Sequence, residues 1–301
     1  MSESKFKLTV IVPVSGMHGQ LQLMRKWLPV IDKSSTQVVI VHDIADNQTA
    51  KELEEIQESL GSSNLLVRSG VFGNPGSARN NGLEVAEGKW ICFWDSDDEP
   101  FPRKVLEMID QAEASGNDVA VGEFEVRSTY QTIQFPFPQA KAVPHDFPIE
   151  LAIHPGLWRW VLRKDVFDDV EFLPLRMAED QTFLSSANIW DKKVMLFHEV
   201  VYSYTTGRSG QLTTNPAAIN DLVRSMKYSA RTFKTKSEIM KKYLLLLWIR
   251  QFATLVKKGS TKPKLHSLPN LIQLFFHSTR RPKLIINFLT SIRQEKKIGS
   301  S

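Results

Sequence analysis

One cysteine in 301 residues excludes a disulfide within the chain and any cysteine-built metal module. Cys92 lies inside the apolar run WICFW, and such thin cysteine usage fits a reducing compartment. Long hydrophobic runs are missing as well. The best candidate, YLLLLWI at 243–249, falls far short of the roughly 18 apolar residues of a membrane span. The N-terminal MSESKFKLTVIVPV lacks the layout of a secretory signal, because its apolar stretch is short and ends at proline. These absences predict a cytoplasmic protein. Acids are scarce in one region only. Residues 225–301 hold 17 Lys and Arg against Glu238 and Glu295, a net +15, whereas residues 1–224 hold 21 against 31, a net −10. The overall +5 therefore hides an acidic body and a basic tail suited to an anionic partner.

Hydrophobic patterning organises the body. KLTVIVPV (7–14) and TQVVIVHD (36–43) read as buried strands, with a helix around Leu21 to Leu28 between them. TAKELEEIQESLG (49–61) reads as an amphipathic helix: Leu53, Ile56 and Leu60 share a face and Gly61 supplies a stop. NLLVRSG is a third strand, GSARNNGLEVAEG a helix after a turn, and KWICFW (89–94) a fourth strand. Strands alternating with helices predict a mostly parallel sheet covered by helices on both faces. Another helix and strand are expected over 101–125, irregular chain over 126–150, and helices over 157–167 and 179–190. Residues 193–206 alternate as strands do, and beyond Asp221 the chain turns to basic and apolar helices.

At the end of the fourth strand stand Asp95, Asp97, Asp98 and Glu99. Like charges this close repel, and carboxylates beside an apolar layer lose hydration, so a positive partner is expected. Ligands of open α/β sheets bind at the carboxyl ends of strands, where both Asp43 and this cluster fall. Asp-x-Asp at such an edge suits a hard divalent cation, Mn²⁺ or Mg²⁺, which takes one or two carboxylates and fills its remaining sites with phosphates and water. The competing account is a solvated acidic turn that caps the next helix.

The run GNPGSARNNGLEVAEGKWICFWDSDD resembles the signature of the family 2 glycosyltransferases, which have the GT-A fold: a Gly/Pro loop, an Arg-Asn-x-Gly helix and a strand ending in Asp-x-Asp-Asp. TVIVPVSG, MAEDQTFLSSA and VYSYTTGRSGQLTT resemble three further segments of that family, in order, so the likeness spans residues 7–215. It implies a GT-A-like, Rossmann-like domain with its nucleotide-sugar half at 1–100, its acceptor half at 101–220, and a helical basic region at 221–301. By that resemblance Asp97 is the principal metal ligand, Asp98 a ligand or support, and Asp95 a contact to donor sugar or ribose. Pro13, Asp43, Arg79 and Arg208 join the donor site. Asp180 becomes the base that takes the acceptor's proton, with Glu179 beside it on the acceptor side. One base implies inversion at the anomeric carbon. The most fitting donor is a UDP-sugar, and the acceptor a hydroxyl of a glycan or lipid-linked sugar. The chain departs from the family in HDIAD, where His42 replaces an acid and Ile44 a glycine, and in PVSG, which lacks Tyr-Asn after Pro-Val.

Other residues carry open readings. His154, Trp158 and Trp160 could shape an acceptor pocket, Trp158 foremost, since aromatic faces stack on sugars; tryptophans at this spacing also build cores. His198, flanked by apolar residues, is read as structural. In the tail, LIINFLTSI would place Leu284, Ile285, Phe288, Leu289 and Ile292 on one helical face. Such a face edged by Lys and Arg fits either an anionic membrane surface met by residues 225–301 or packing on the body. No nucleic-acid motif accompanies it. Nucleotidyl transfer and a non-catalytic, sugar-binding or assembly role remain alternatives. A glycosidase fits less well, because it requires two facing carboxylates and no diphosphate device.

Overall fold

The computed structural model describes residues 4–17, 19–32, 34–44, 46–61, 64–128, 130–137, 147–207, 216–258 and 281–298. The chain divides into two compact units. The first comprises residues 1–136, 157–174 and 192–208, and the second residues 137–156, 175–191 and 209–301.

The first unit is built on a nine-stranded sheet with order β3-β2-β1-β4-β8-β6-β9-β5, and β7 pairs with β6. Its strands are β1 (Phe6–Val14), β2 (Thr36–Asp43), β3 (Leu65–Gly70), β4 (Gly88–Phe93), β5 (Glu99–Pro100), β6 (Val119–Arg127), β7 (Thr132–Phe135), β8 (Trp160–Arg163) and β9 (Val194–Thr205). β1 to β4 run parallel, as does the β6–β9 pair; β8 lies antiparallel between β4 and β6. The helices of this unit are α1 (Gln22–Trp27), α2 (Asn47–Leu60), α3 (Pro75–Leu83) and α4 (Pro102–Ala114). Leu53 and Ile56 of α2, and Val105, Met108, Ile109 and Ala112 of α4, bury their faces as the helical period requires. Asp46 caps α2 by accepting the Thr49 N–H at 2.6 Å, and Gly61 ends it in a left-handed conformation (φ 53°).

Two expectations need correction. The segment 157–167 is not a helix: it forms short 3₁₀ turns around β8, whose Trp160, Val161 and Leu162 fill the slot between β4 and β6. Residues 126–150 are not wholly irregular either, since β7 pairs with β6 through Phe124 and Phe135, whose rings stack at 4.8 Å.

The second unit carries the helices α5 (Glu150–Ile153), α6 (Glu179–Ser186), α7 (Pro216–Ile219), α8 (Asp221–Thr232), α9 (Glu238–Lys258) and α10 (Pro282–Ile298). α9 is its central helix. Met240, Tyr243 to Trp248, Gln251 and Leu255 are all buried, so the apolar surface foreseen for YLLLLWI is consumed in this core, while that of LPNLIQLFF lies outside the described residues. On α10 the buried face centres on Phe288, with Leu284, Ile285 and Ile292 half-buried. Leu289 does not join them: it is exposed, as is Ile286. Among the described residues no helix is long and apolar enough to cross a membrane.

Candidate functional site

β1 is the point where chain order reverses: β2 and β3 are added on one side of it and β4 on the other. At such a switch the connections diverge above the carboxyl edge and leave room for a ligand. Pro13 stands there. Pairing of β1 with β4 ends at Ile11↔Phe93, so the N–H that Pro13 lacks costs no bond on that side.

Asp43 ends β2 and turns its carboxylate onto the next loop. Its two oxygens accept the backbone N–H groups of Phe72 and Gly73, each at 2.8 Å. Gly73 adopts φ 71°, a conformation costly for other residues, and so brings that N–H to the acid. Asp43 therefore shapes the loop that feeds α3.

The Arg-Asn-x-Gly helix has a physical explanation residue by residue. Asn74 caps α3 through the Ser77 N–H, and Pro75 opens the first turn. Arg79, only 6% exposed, places its guanidinium 2.8 Å from Asp95 Oδ1 and over the Phe172 ring. Asn80 accepts the Phe172 N–H at 2.8 Å and donates to its carbonyl at 2.9 Å, which fixes the chain that faces the helix. At Gly82 a β-carbon would lie 2.5 Å from Ile11 Cγ2, so helix and sheet could not approach so closely.

Past Phe93 the chain is anchored by Trp94, buried and edge-on to Trp27 at 5.0 Å, and its N–H donates to the Ile11 carbonyl. The acids follow at once. Asp95 is partly exposed beside Arg79, and Asp97 is intermediate. Asp98 is buried. One of its oxygens accepts the Thr205 N–H at 2.7 Å, the other the Tyr202 hydroxyl at 3.0 Å. Burial, with Asp95 and Asp97 adding to it, pushes the Asp98 carboxyl well above the ordinary carboxylate range; the two hydrogen bonds pull the other way. Both Asp98 oxygens thus have partners on β9, whereas Asp95 and Asp97 are partly exposed.

Among the described residues no group of three or more His, Cys, Asp or Glu forms a ready metal cage. A cation held largely by a ligand's phosphates requires only one or two carboxylates. Asp95 and Asp97, partly exposed at the sheet edge, supply carboxylates of that kind, so the donor set fits Mn²⁺ or Mg²⁺.

Tyr202, in the closing segment VYSYTTGRSGQLTT, and Asn80, in the Arg-Asn-x-Gly helix, receive no individual role from the sequence. Their partners lie 104 and 92 residues away, and no local pattern announces such pairings. Trp158 stacks on Tyr202 at 4.6 Å and on Tyr204 at 5.8 Å, and meets Phe124 edge-on, so it is half-buried within an aromatic stack. Trp160 is fully buried. His198 is exposed, with Nδ1 3.5 Å from Glu123. His42 is buried, and among the described residues neither ring nitrogen finds a hydrogen-bond partner. Burial therefore drives its pKa down, against the pull of Asp46 and Asp43. Arg208 lies outside the described residues.

Glu179 and Asp180 belong to the second unit, in the first turn of α6. The residue before them, Ala178, is held at φ 64°, a left-handed conformation rare for a residue with a side chain. Hydrogen bonds anchor the chain on both sides of it. Asp221 accepts the Arg176 N–H at 2.8 Å, Gln251 donates to Gln181 and Ser225, and Lys236 donates to the Ser185 carbonyl. Glu179 is buried, whereas Asp180 is intermediate and accepts the Gln181 N–H at 2.7 Å. His154, also in this unit, is half-buried at the end of α5.

Comparison with known proteins agrees with this architecture. The model of glycosyl transferase family 2 matches residues 23–157. The succinoglycan biosynthesis protein ExoO of Rhizobium meliloti is 34% identical over 94 residues, 31% of this chain and 26% of that protein. The poly(ribitol-phosphate) beta-N-acetylglucosaminyltransferase TarS of Staphylococcus aureus is 27% identical over 214 residues, covering 68% of this chain and 36% of TarS. The chain thus spans only about a quarter to two fifths of such relatives. The crystal structure of TarS residues 1–349 with UDP-GlcNAc superposes with a TM-score of 0.74 at 20% identity, over 89% of this chain and 80% of that one. The mannosyltransferase PcManGT of Pyrobaculum calidifontis, solved with GDP-Man and Mn²⁺, gives 0.58 at 13% identity over 97% and 84%. With a GT-A-like sheet beneath it and the Arg-Asn-x-Gly and Asp-x-Asp-Asp segments inside it, residues 23–157, somewhat under half of the chain, are similar to glycosyl transferase family 2.

Proposed function

We propose that this protein transfers a sugar, with inversion, from a UDP-sugar to a hydroxyl of a glycan or lipid-linked glycan. The observation that carries the reading is the aspartate loop at the sheet's switch point, braced by Arg79 and by Asp98. Asp97 would hold Mn²⁺ or Mg²⁺, which when bound offsets the charge gathering on the departing diphosphate. Asp95, tethered by Arg79, is placed for the donor's ribose or sugar, and Arg79 adds a fixed positive charge behind it. Pro13 and Asp43 border the same edge, and Arg208 is assigned to the diphosphate by family resemblance. Asp180 takes the proton of the attacking hydroxyl, with Glu179 and Trp158 on the acceptor's side. UDP is favoured because TarS, similar along much of the chain, was solved with UDP-GlcNAc.

A thermal-shift screen of nucleotide sugars with and without Mn²⁺, followed by assay of sugar transfer to glycan acceptors, tests this reading. UDP-sugars should raise the melting temperature more when Mn²⁺ is present, because a ligand stabilises in proportion to its affinity. Metal-dependent stabilisation with no turnover over a broad acceptor panel would point to the sugar-binding alternative.

The exposed Ile286 and Leu289 of α10, with exposed Lys283 and Arg293 on the same helix, support contact with an anionic lipid surface. Replacing both apolar residues by serine should reduce cosedimentation with phosphatidylserine vesicles about tenfold and leave binding of UDP unchanged. Equal sedimentation of both forms would remove the membrane from the proposal.

A further inference from the structure

Between the aspartate loop and β9 lies a polar junction that the proposed chemistry does not itself use. Tyr202 is fully buried. Its hydroxyl accepts the backbone N–H of Asp95 at 3.0 Å and donates to Asp98 Oδ2 at 3.0 Å, while the Thr205 N–H donates to Asp98 Oδ1 at 2.7 Å. Three bonds therefore join residues 95–98 to residues 202–205. A phenol has one proton to give, and here it goes to a carboxylate; its lone pair meets the amide. The ring has little freedom to turn, because Trp158 stacks on it at 4.6 Å and 20°. β9 is in turn held by parallel pairing with β6 and by β5, the short strand that directly follows the acids.

We propose that Tyr202 is a positioning residue for the aspartate loop: its hydroxyl, working through Asp98, sets the one backbone shape in which Asp95 and Asp97 are presented to donor and cation. This inference rests on the reading of that loop as a metal-dependent nucleotide-sugar site. Removing the hydroxyl leaves a buried amide and a buried carboxylate oxygen each short of a partner. The loop can recover those bonds only by moving. The consequence should be confined to ligand binding that passes through the cation. A phenylalanine keeps the ring, and hence the stack with Trp158.

The test compares the wild type with Tyr202→Phe, Asp98→Asn and the double variant, measuring UDP affinity by calorimetry with and without Mn²⁺. Near-ultraviolet circular dichroism checks the fold. In Tyr202→Phe the gain in UDP affinity on adding Mn²⁺ should shrink at least about tenfold, while metal-free UDP affinity stays within about twofold. A defect of packing alone would move the melting temperature and both affinities together. Asp98→Asn should lose a similar part of the gain, and the double variant should be no worse than the poorer single variant, as expected of groups acting through one bond. An undiminished Mn²⁺ gain in Tyr202→Phe, or strictly additive losses, overturns the proposal while the site assignment stands. Should Tyr202→Phe fail to fold, an undiminished gain in Asp98→Asn overturns it equally. A wild type that shows no Mn²⁺ gain at all removes the site reading, and this inference with it.

Discussion

Asp180→Asn should cut kcat by about two to four orders of magnitude and leave the Kd for a UDP-sugar within about twofold. An acceptor hydroxyl cannot displace a glycosidic bond at useful rate while keeping its proton, and an amide oxygen is too weak a base to take it. Shape is conserved, because asparagine can keep the oxygen that accepts the Gln181 N–H at 2.7 Å. The anchors of α6 are untouched: Gln251 to Gln181, Lys236 to the Ser185 carbonyl, and Asp221 to the Arg176 N–H. Loss of rate would therefore report the missing base rather than a shifted helix. Steady-state kinetics with saturating donor, together with calorimetry of donor binding, separates the two. A variant that keeps near-normal kcat sends the base role elsewhere, with Glu179 the next residue to replace.

The position of Ala178 strengthens this choice on physical grounds. A left-handed alanine costs on the order of 1 kcal/mol or more, and such strain persists only where the surroundings over-determine it. The acids of the first helical turn begin with the very next residue. An acid there merely to satisfy the helix terminus would need no strained entry, since any ordinary cap would serve.

Much of the fold was legible because its signals are local. Short apolar runs, VIVPV, VVIV and WICFW, mark β1, β2 and β4, and the change from Phe93 and Trp94 to three aspartates marks a sheet edge. The segment LWRWVLRKDVF was misread for the complementary reason. Its apolar residues fit a helical or an extended period equally, and what decides is an open place between β4 and β6 that the segment itself does not encode. Trp158 shows the same limit. Its stacking partners sit on β9, more than forty residues later, so nothing near it distinguishes a sugar platform from a core stack. In the tail, charge composition pointed outward, yet α9 spends its apolar residues on the second unit's core and carries its lysines near its ends. Among the described residues of the tail, exposed apolar side chains with basic neighbours remain at Val256 near the end of α9 and at Ile286 and Leu289 of α10. In the site, the acids at the end of β4 stand out in the sequence but their contacts do not. That Tyr202 and Thr205 reach Asp98 is tertiary information.

Asp97→Ala should abolish most of the Mn²⁺-dependent gain in UDP affinity, by at least about a hundredfold, and turnover with it. Three carboxylates within four residues repel one another, and the strain is visible at Asp98, whose pKa is raised by its two neighbours as well as by burial. Arg79 answers one of them, since it is bonded to Asp95. Asp98 is bonded to Tyr202 and Thr205, and Asp97 is the carboxylate proposed to bring a cation to a diphosphate. Removing it should also lessen the repulsion, so the apo-protein should melt at the same temperature or slightly higher while losing its response to Mn²⁺ with UDP. That opposite movement of stability and binding is the diagnostic result, because a damaged fold would lower both. Melting curves with EDTA, with Mn²⁺, and with Mn²⁺ plus UDP read it directly. An Asp97→Ala protein still stabilised by the metal–nucleotide pair to the wild-type extent would place the cation on other residues.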